Sequence, residues 1–314
     1  MKKLITIVAT MLCAGAVYAQ DLATVTETYN NGITANEAGN VEMALQNFKE
    51  ALVLAEALGE EGAEIATNCK NSIPILMLSL AKKAVNAADY EKAVAGLKET
   101  IEVANKYGVD NIADEATVLI PQVLMQKANV FFNDKDYAGA VEAYKAVLAE
   151  DPANGMASLR LGAALKATGE KEAAIEAFQA AIANGQDKAA SKQLVNLYQQ
   201  DAAASLKAKK YDDAIASALE SNKYGESAKA YQIAGTAASN GGKTKQAIEY
   251  FEKYVELAPT AKNSGDILFS IAVSYQQLKD TAKAKEYYQK AIADPSKINP
   301  KNLEAAKAQL AAIK

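Results

Sequence analysis

The chain has no histidine and no tryptophan, and in 314 residues it has one arginine (Arg160), two cysteines and six prolines. Each shortage removes a class of function. Without histidine there is no Ser-His-Asp or Cys-His nucleophile, no imidazole metal ligand and no imidazole pH switch. A single guanidinium leaves nothing from which to build paired clamps on phosphate or carboxylate. No basic run occurs and the formal net charge is −4, so nucleic acid is not an expected partner. What is present is ordinary for a folded chain, with 50% apolar and 23% charged residues. The exception is alanine, which fills 66 positions.

The first residues read as an address. Lys2 and Lys3 precede an apolar run from Leu4 to Ala16, and Val17-Tyr18-Ala19 suits a signal peptidase. Residues 1–19 are therefore expected to be a secretory signal peptide, and the run is too short to span a membrane. The expected address is export to the periplasm, with secretion or outer-membrane association as the alternatives. Removal of two lysines takes the charge to −6. Cys13 follows Leu12, which is too large for a lipidation site. Cys69 is then unpaired, and with Ile65 and Ile73 at helical spacing it reads as core.

The organising feature is a repeat, anchored on Ala44, Ala93, Ala140, Ala174, Ala214, Ala247 and Ala284. Twelve residues before the anchors stand Gly32, Ala81, Ala128, Gly162, Ala202, Gly235 and Ala272, all glycine or alanine. Four residues after them stand Phe48, Leu97, Tyr144, Phe178, Ala218, Phe251 and Tyr288. Small residues on a first helix let a second helix approach closely. The aromatic one turn beyond the anchor is expected to fill the gap between neighbouring units. Short polar turns such as Glu37-Ala38-Gly39-Asn40 and Asn240-Gly241-Gly242 separate the helices. Neither helix can bury its apolar face alone, so the units stack.

On these residues the chain resembles the tetratricopeptide repeats, helix–turn–helix units of 34 residues. The resemblance covers about residues 25–296. The early tryptophan of many family members is absent, and the unit around Ala214 departs furthest because Ala218 replaces the aromatic. The expected fold is all-α: a right-handed superhelical solenoid of about seven repeats over residues 20–299, with a capping helix at 300–314. The first two anchor spacings, 49 and 47 residues, exceed the family period. Both stretches hold a proline, Pro74 or Pro121, at 19 residues before the anchor. Longer first helices, kinked or restarted at the prolines, would absorb the excess.

Several motifs invite chemistry that their context denies. Ala237-x-x-x-x-Gly242-Lys243-Thr244 fits a loose phosphate-loop pattern, but it follows an expected helix and is the turn of one repeat. The acidic pairs Glu60-Glu61, Glu150-Asp151 and Asp212-Asp213 fall at helix ends, where they face water. Asp280-Thr281-Ala282 matches a short glycosylation pattern, against the plainer reading of another turn. No catalytic residue, metal site or cofactor is expected.

The resemblance implies that first helices line a concave face on which a partner's segment lies. Carried over by spacing, the partner-binding residues are Tyr29, Asn36, Lys82, Met125, Asn129, Phe132, Asn133, Lys166, Gln199, Gln232, Phe269 and Gln276. Amides offer hydrogen bonds to a partner's backbone and the aromatics offer anchors, unless Phe132 and Phe269 pack against adjoining helices. Some family members hold a chaperone's C-terminal carboxylates with a Lys/Asn/Arg clamp. Here only Arg160 matches; Leu78, Lys82, Gln126 and Met156 occupy the remaining positions, so the clamp is absent. The expected function is a non-enzymatic interaction module of the cell envelope that binds a protein or peptide. It takes no small-molecule substrate and meets membrane only through a partner. The alternative is a self-associating scaffold docked on outer-membrane machinery.

Overall fold

A computed structural model describes residues 22–313, and the signal-peptide segment and Cys13 lie outside them. The described residues form fifteen α-helices and no strand. The chain divides into two compact units, residues 1–153 and 154–314. The first holds three hairpins: α1 (Leu22–Glu37) with α2 (Val41–Ala57), α3 (Ala63–Asn86) with α4 (Tyr90–Tyr107), and α5 (Asp110–Asn133) with α6 (Tyr137–Glu150). The second opens with α7 (Gly155–Thr168) and α8 (Lys171–Ala183), then α9 (Asp187–Lys207) and α10 (Tyr211–Asn222). It continues with α11 (Ala228–Asn240) and α12 (Thr244–Leu257), then α13 (Ser264–Gln277) and α14 (Thr281–Ile292). A last helix, α15 (Pro300–Ala312), lies against α14.

All seven anchor alanines are fully buried on second helices, one per hairpin. The fold is thus the all-α stack of helix–turn–helix units that the spacing implies. The aromatic position does more than the spacing implies. Its ring lies against the small residue of its own hairpin and also shares a core with the adjoining one, Phe48 with Ile73 and Met77, and Phe251 with Ile267 and Ile271. A Cβ added to Gly32 would stand 2.9 Å from the Phe48 ring, one on Gly162 2.7 Å from Phe178, and one on Gly235 2.5 Å from Phe251. Every phenylalanine at this position faces glycine. Where tyrosine takes the place, the facing residue is Ala128 or Ala272. There the hydroxyl reaches past the alanine to an amide of the first helix: Tyr144 donates to Asn129 and Tyr288 to Gln276, both at 2.7 Å.

The seven turns share one geometry. The residue five before each anchor has positive φ: Gly39, Ala88, Lys135, Gly169, Lys209, Gly242 and Lys279. The next residue donates its N–H to the carbonyl five positions back, as in Asn40 to Ala35 and Lys210 to Ser205. This is a helix stop of the Schellman kind. In four turns the same residue then caps the second helix: Asn40, Asp89, Asp136 and Asp280 each accept the N–H three residues on.

Both long spacings are absorbed by single helices. At 24 residues each, α3 and α5 carry Pro74 and Pro121 inside them, and neither is restarted there. The 21-residue α9 takes up another long spacing.

Candidate protein-interaction surface

The first unit holds seven of the residues expected to meet a partner. Asn36 and Asn133 sit at the last turns of α1 and α5 with exposed side chains. Lys82 is exposed on α3, but its ammonium already bridges to Glu115 of α5 at 2.5 Å. Exposed pairs of this kind contribute at most about 1 kcal/mol, so a partner's carboxylate can displace it. Met125 is half-buried. Tyr29 is half-buried, its ring 5.4 Å from Phe48, and burial raises its phenol above the ordinary value.

Two of the seven have structural work. Asn129 accepts the Tyr144 hydroxyl. Phe132 meets Tyr137 edge-on at 5.5 Å and Tyr144 at 6.4 Å. Its half-buried ring therefore packs on the adjoining helix while part of it stays open.

The second unit holds the other five. Lys166 is half-buried and donates to Gln193 at 3.3 Å. Gln232 is half-buried on α11. Gln199 is buried, and its amide donates to Ser227 at 2.8 Å, tying α9 to the start of α11. Phe269 lies 5.7 Å from the Tyr288 ring and is half-buried. Gln276 is exposed, yet it accepts from Tyr288 and donates to Gln309 of α15. The side chains with no such internal duty are Asn36, Met125, Asn133 and Gln232.

The motifs that invited chemistry lie at helix ends and turns. Residues 237–244 run from the end of α11 through the turn at Gly242 into α12, with no strand before them. Asp280 caps α14. Cys69 is fully buried, and burial pushes its thiol up to about 11, well away from a reactive thiolate. Among the described residues no group of three acidic or cysteine side chains could hold a metal ion. No described helix is long and apolar enough to cross a membrane.

One feature of the first unit escapes a reading by repeat position. Between α2 and α4, floored by α3, lies an open groove of about 280 Å³. Leu45, Met77, Leu80, Ala81, Ala95 and Gly96 line it, with Lys49, Lys92 and Glu99 among its polar groups. Its sequence signal is Gly96 itself. Glycine inside a helix costs about 1 kcal/mol relative to alanine, so it asks for a local reason.

Tetratricopeptide-repeat models match residues 125–189, 228–260 and 265–293. The matched stretches leave out α1–α4 and all of α9–α10 beyond residue 189. A search of curated proteins returned no match. Among solved structures, MamA is 24% identical, with 55% of this chain and 90% of that chain covered and a TM-score of 0.34. YrrB, described as a TPR protein with an unusual peptide-binding site, is 19% identical over 59% and 91%, with a TM-score of 0.35. The TPR2AB domain of yeast Sti1, in complex with pHSP90, is 16% identical over 92% and 98%, with a TM-score of 0.33. With the buried anchors, the paired small and large residues and the shared turn, the repeat matches show that this chain carries tetratricopeptide repeats.

Proposed function

We propose that this chain is an exported, non-enzymatic interaction module of the cell envelope, acting in the periplasm and holding a protein or peptide on the side built from its first helices. The coarser part of this reading follows from the repeats, which are protein-interaction modules. The finer part is supported by one observation. On the first helices α1 and α5 of the first unit, Asn36 and Asn133 have exposed amides and Tyr29, Met125 and Phe132 are half-buried. Amides and partly open aromatics are the groups that bind a peptide's backbone and anchor its side chains. Export is supported by the basic and apolar pattern of residues 1–19. The absence of histidine and the inert Cys69 support a role without catalysis.

The test is cross-linking and affinity capture from the native envelope, with wild type beside Asn36→Ala/Asn133→Ala. These side chains are exposed, so the variant keeps its helicity. One protein enriched by wild type and lost by the variant is the expected result. Equal capture by both, or capture of nothing but the chain itself, overturns the reading.

A further inference from the structure

The groove between α2 and α4 has a counterpart in the second unit, at the same repeat positions, where α12 and α14 flank α13. That counterpart is filled from within. Tyr287 stands three residues after its anchor, where the first unit has Gly96. Tyr275 stands nine before it, where the first unit has Ala84. The two rings stack at 5.4 Å, and both hydroxyls donate to Glu252, at 3.1 Å from Tyr275 and 2.7 Å from Tyr287. Lys283 and Lys290 lie 4.9 and 4.7 Å from the ring centres. The position that accepts a tyrosine hydroxyl in one groove is five beyond the anchor: Glu252 there, Lys49 here.

The open groove has apolar residues where the filled one has Ile248, Leu268, Ile271 and Ala272, has glycine and alanine in place of the two rings, and exchanges the acceptor carboxylate for an ammonium. The Lys49 side chain is exposed and makes no ion pair among the described residues. Lys92 adds a second cation to the lining, and Glu99 is its acidic group. A volume of about 280 Å³ is at the small end for binding sites and suits one large side chain rather than a whole ligand.

We infer that this groove is a second binding site, on the second-helix side, for an acidic peptide segment that inserts one aromatic side chain between α2 and α4 and sets its carboxylate on Lys49. The site is separate from the first-helix side and independent of what binds there. The intruding ring takes the place that Tyr287 takes in the other unit. The carboxylate meets Lys49 where the tyrosine hydroxyls meet Glu252.

Met77 lies on the groove floor and is one of six methionines, so its ε-methyl NMR signal is a local reporter. The full chain, labelled at methionine methyls, is titrated with acetyl-GEFDG-amide, acetyl-GKFKG-amide, acetyl-GEADG-amide and octanoate. The acidic phenylalanine peptide is expected to shift Met77 saturably at millimolar concentration, with the basic and alanine peptides binding roughly tenfold more weakly or worse. Gly96→Tyr restores the plug and is expected to abolish the shift. Should that variant fail to fold, Lys49→Glu, on an exposed side chain, is expected to weaken the acidic peptide about tenfold and favour the basic one. Asn36→Ala/Asn133→Ala is expected to leave the titration unchanged, which separates this site from the first-helix side. The inference is overturned if the acidic phenylalanine peptide leaves Met77 unmoved, or if the basic peptide binds wild type equally well. It is also overturned if Lys49→Glu changes nothing, if octanoate alone occupies the groove, or if Met77 shifts with protein concentration in the absence of peptide.

Discussion

Two hairpins of the second unit, α13–α14 and α9–α10, have the same outline and opposite construction. In α13–α14 the hairpin holds itself. Tyr288 is fully buried, Phe269 packs on its ring, its hydroxyl bonds Gln276, and Asp280 caps the second helix. In α9–α10 the corresponding residues are Ala218 and Lys210, and Lys210 makes no side-chain cap. What holds α9–α10 is a polar network, part of it within the hairpin and part of it reaching its neighbours. Asp201 accepts from Lys171 of α8 at 2.9 Å and from Ser217 at 2.8 Å. Gln199 reaches Ser227, Gln179 of α8 donates to Tyr224, and Tyr224 stacks on Tyr198 at 5.9 Å. A repeat can keep its shape after losing its internal signature if polar contacts to adjoining elements take over.

The largest test of this contrast is Tyr288→Ala. Removing a buried aromatic costs about 3–5 kcal/mol, so thermal melting is expected to fall by several degrees or more, with amide exchange in α13–α14 accelerated to at least that in α9–α10. A melting point unchanged from wild type would mean that the ring does not hold the hairpin. Next is Gly235→Ala, which sets a Cβ against the Phe251 ring. Overpacking of this kind costs about 1–3 kcal/mol. Adding Phe251→Leu recreates the Ala81/Leu97 pair and is expected to recover part of the loss in denaturant titrations. Lys209→Gly/Lys210→Asp gives the α9–α10 turn the glycine and the cap it lacks, relieving a non-glycine residue at φ +61. A gain of about 1–2 kcal/mol is expected; a neutral result would put the weakness of this hairpin outside its turn.

The smallest effect is on acidification. The Lys171 ammonium hydrogen-bonded to Asp201 holds that carboxyl below its ordinary 3.8. A depressed folded value stabilises the fold above the unfolded value, and the contribution is lost as pH falls through the folded one. Amide exchange in α9–α10 is therefore expected to accelerate relative to α13–α14 below about pH 4, and Asp201→Asn is expected to remove the difference.

Much of the fold was legible because a small-to-large pair at fixed spacing is a local property of one hairpin. The anchors and the lengthened first helices follow from it. The turns were only half legible. Gly39, Gly169 and Gly242 announce a left-handed residue, whereas Ala88, Lys135, Lys209 and Lys279 adopt the same conformation without a glycine to mark it. The interaction surface was legible as a set of positions and not as a set of free groups. Spacing placed Gln199 and Asn129 on the first-helix side, but it could not foresee that Ser227 and Tyr144 would engage them. The groove at Gly96 needed the counterpart at Tyr287 to be recognised, because a missing side chain has no periodicity.

The fixed turn also sets where this chain can tolerate a change of length. From the small residue twelve before each anchor to the anchor itself, no hairpin gains or loses a position, though anchor spacings run from 33 to 49 residues. One residue inserted in that interval would rotate the anchor about 100° off its packing face. All the surplus of α3 and α5 instead lies toward their starts, beyond the register that packs them. Growth and deletion in this protein fall at the helix ends remote from the turns, the starts of first helices and the ends of second helices, and in the links between hairpins, so its span can drift while its hairpins stay in register.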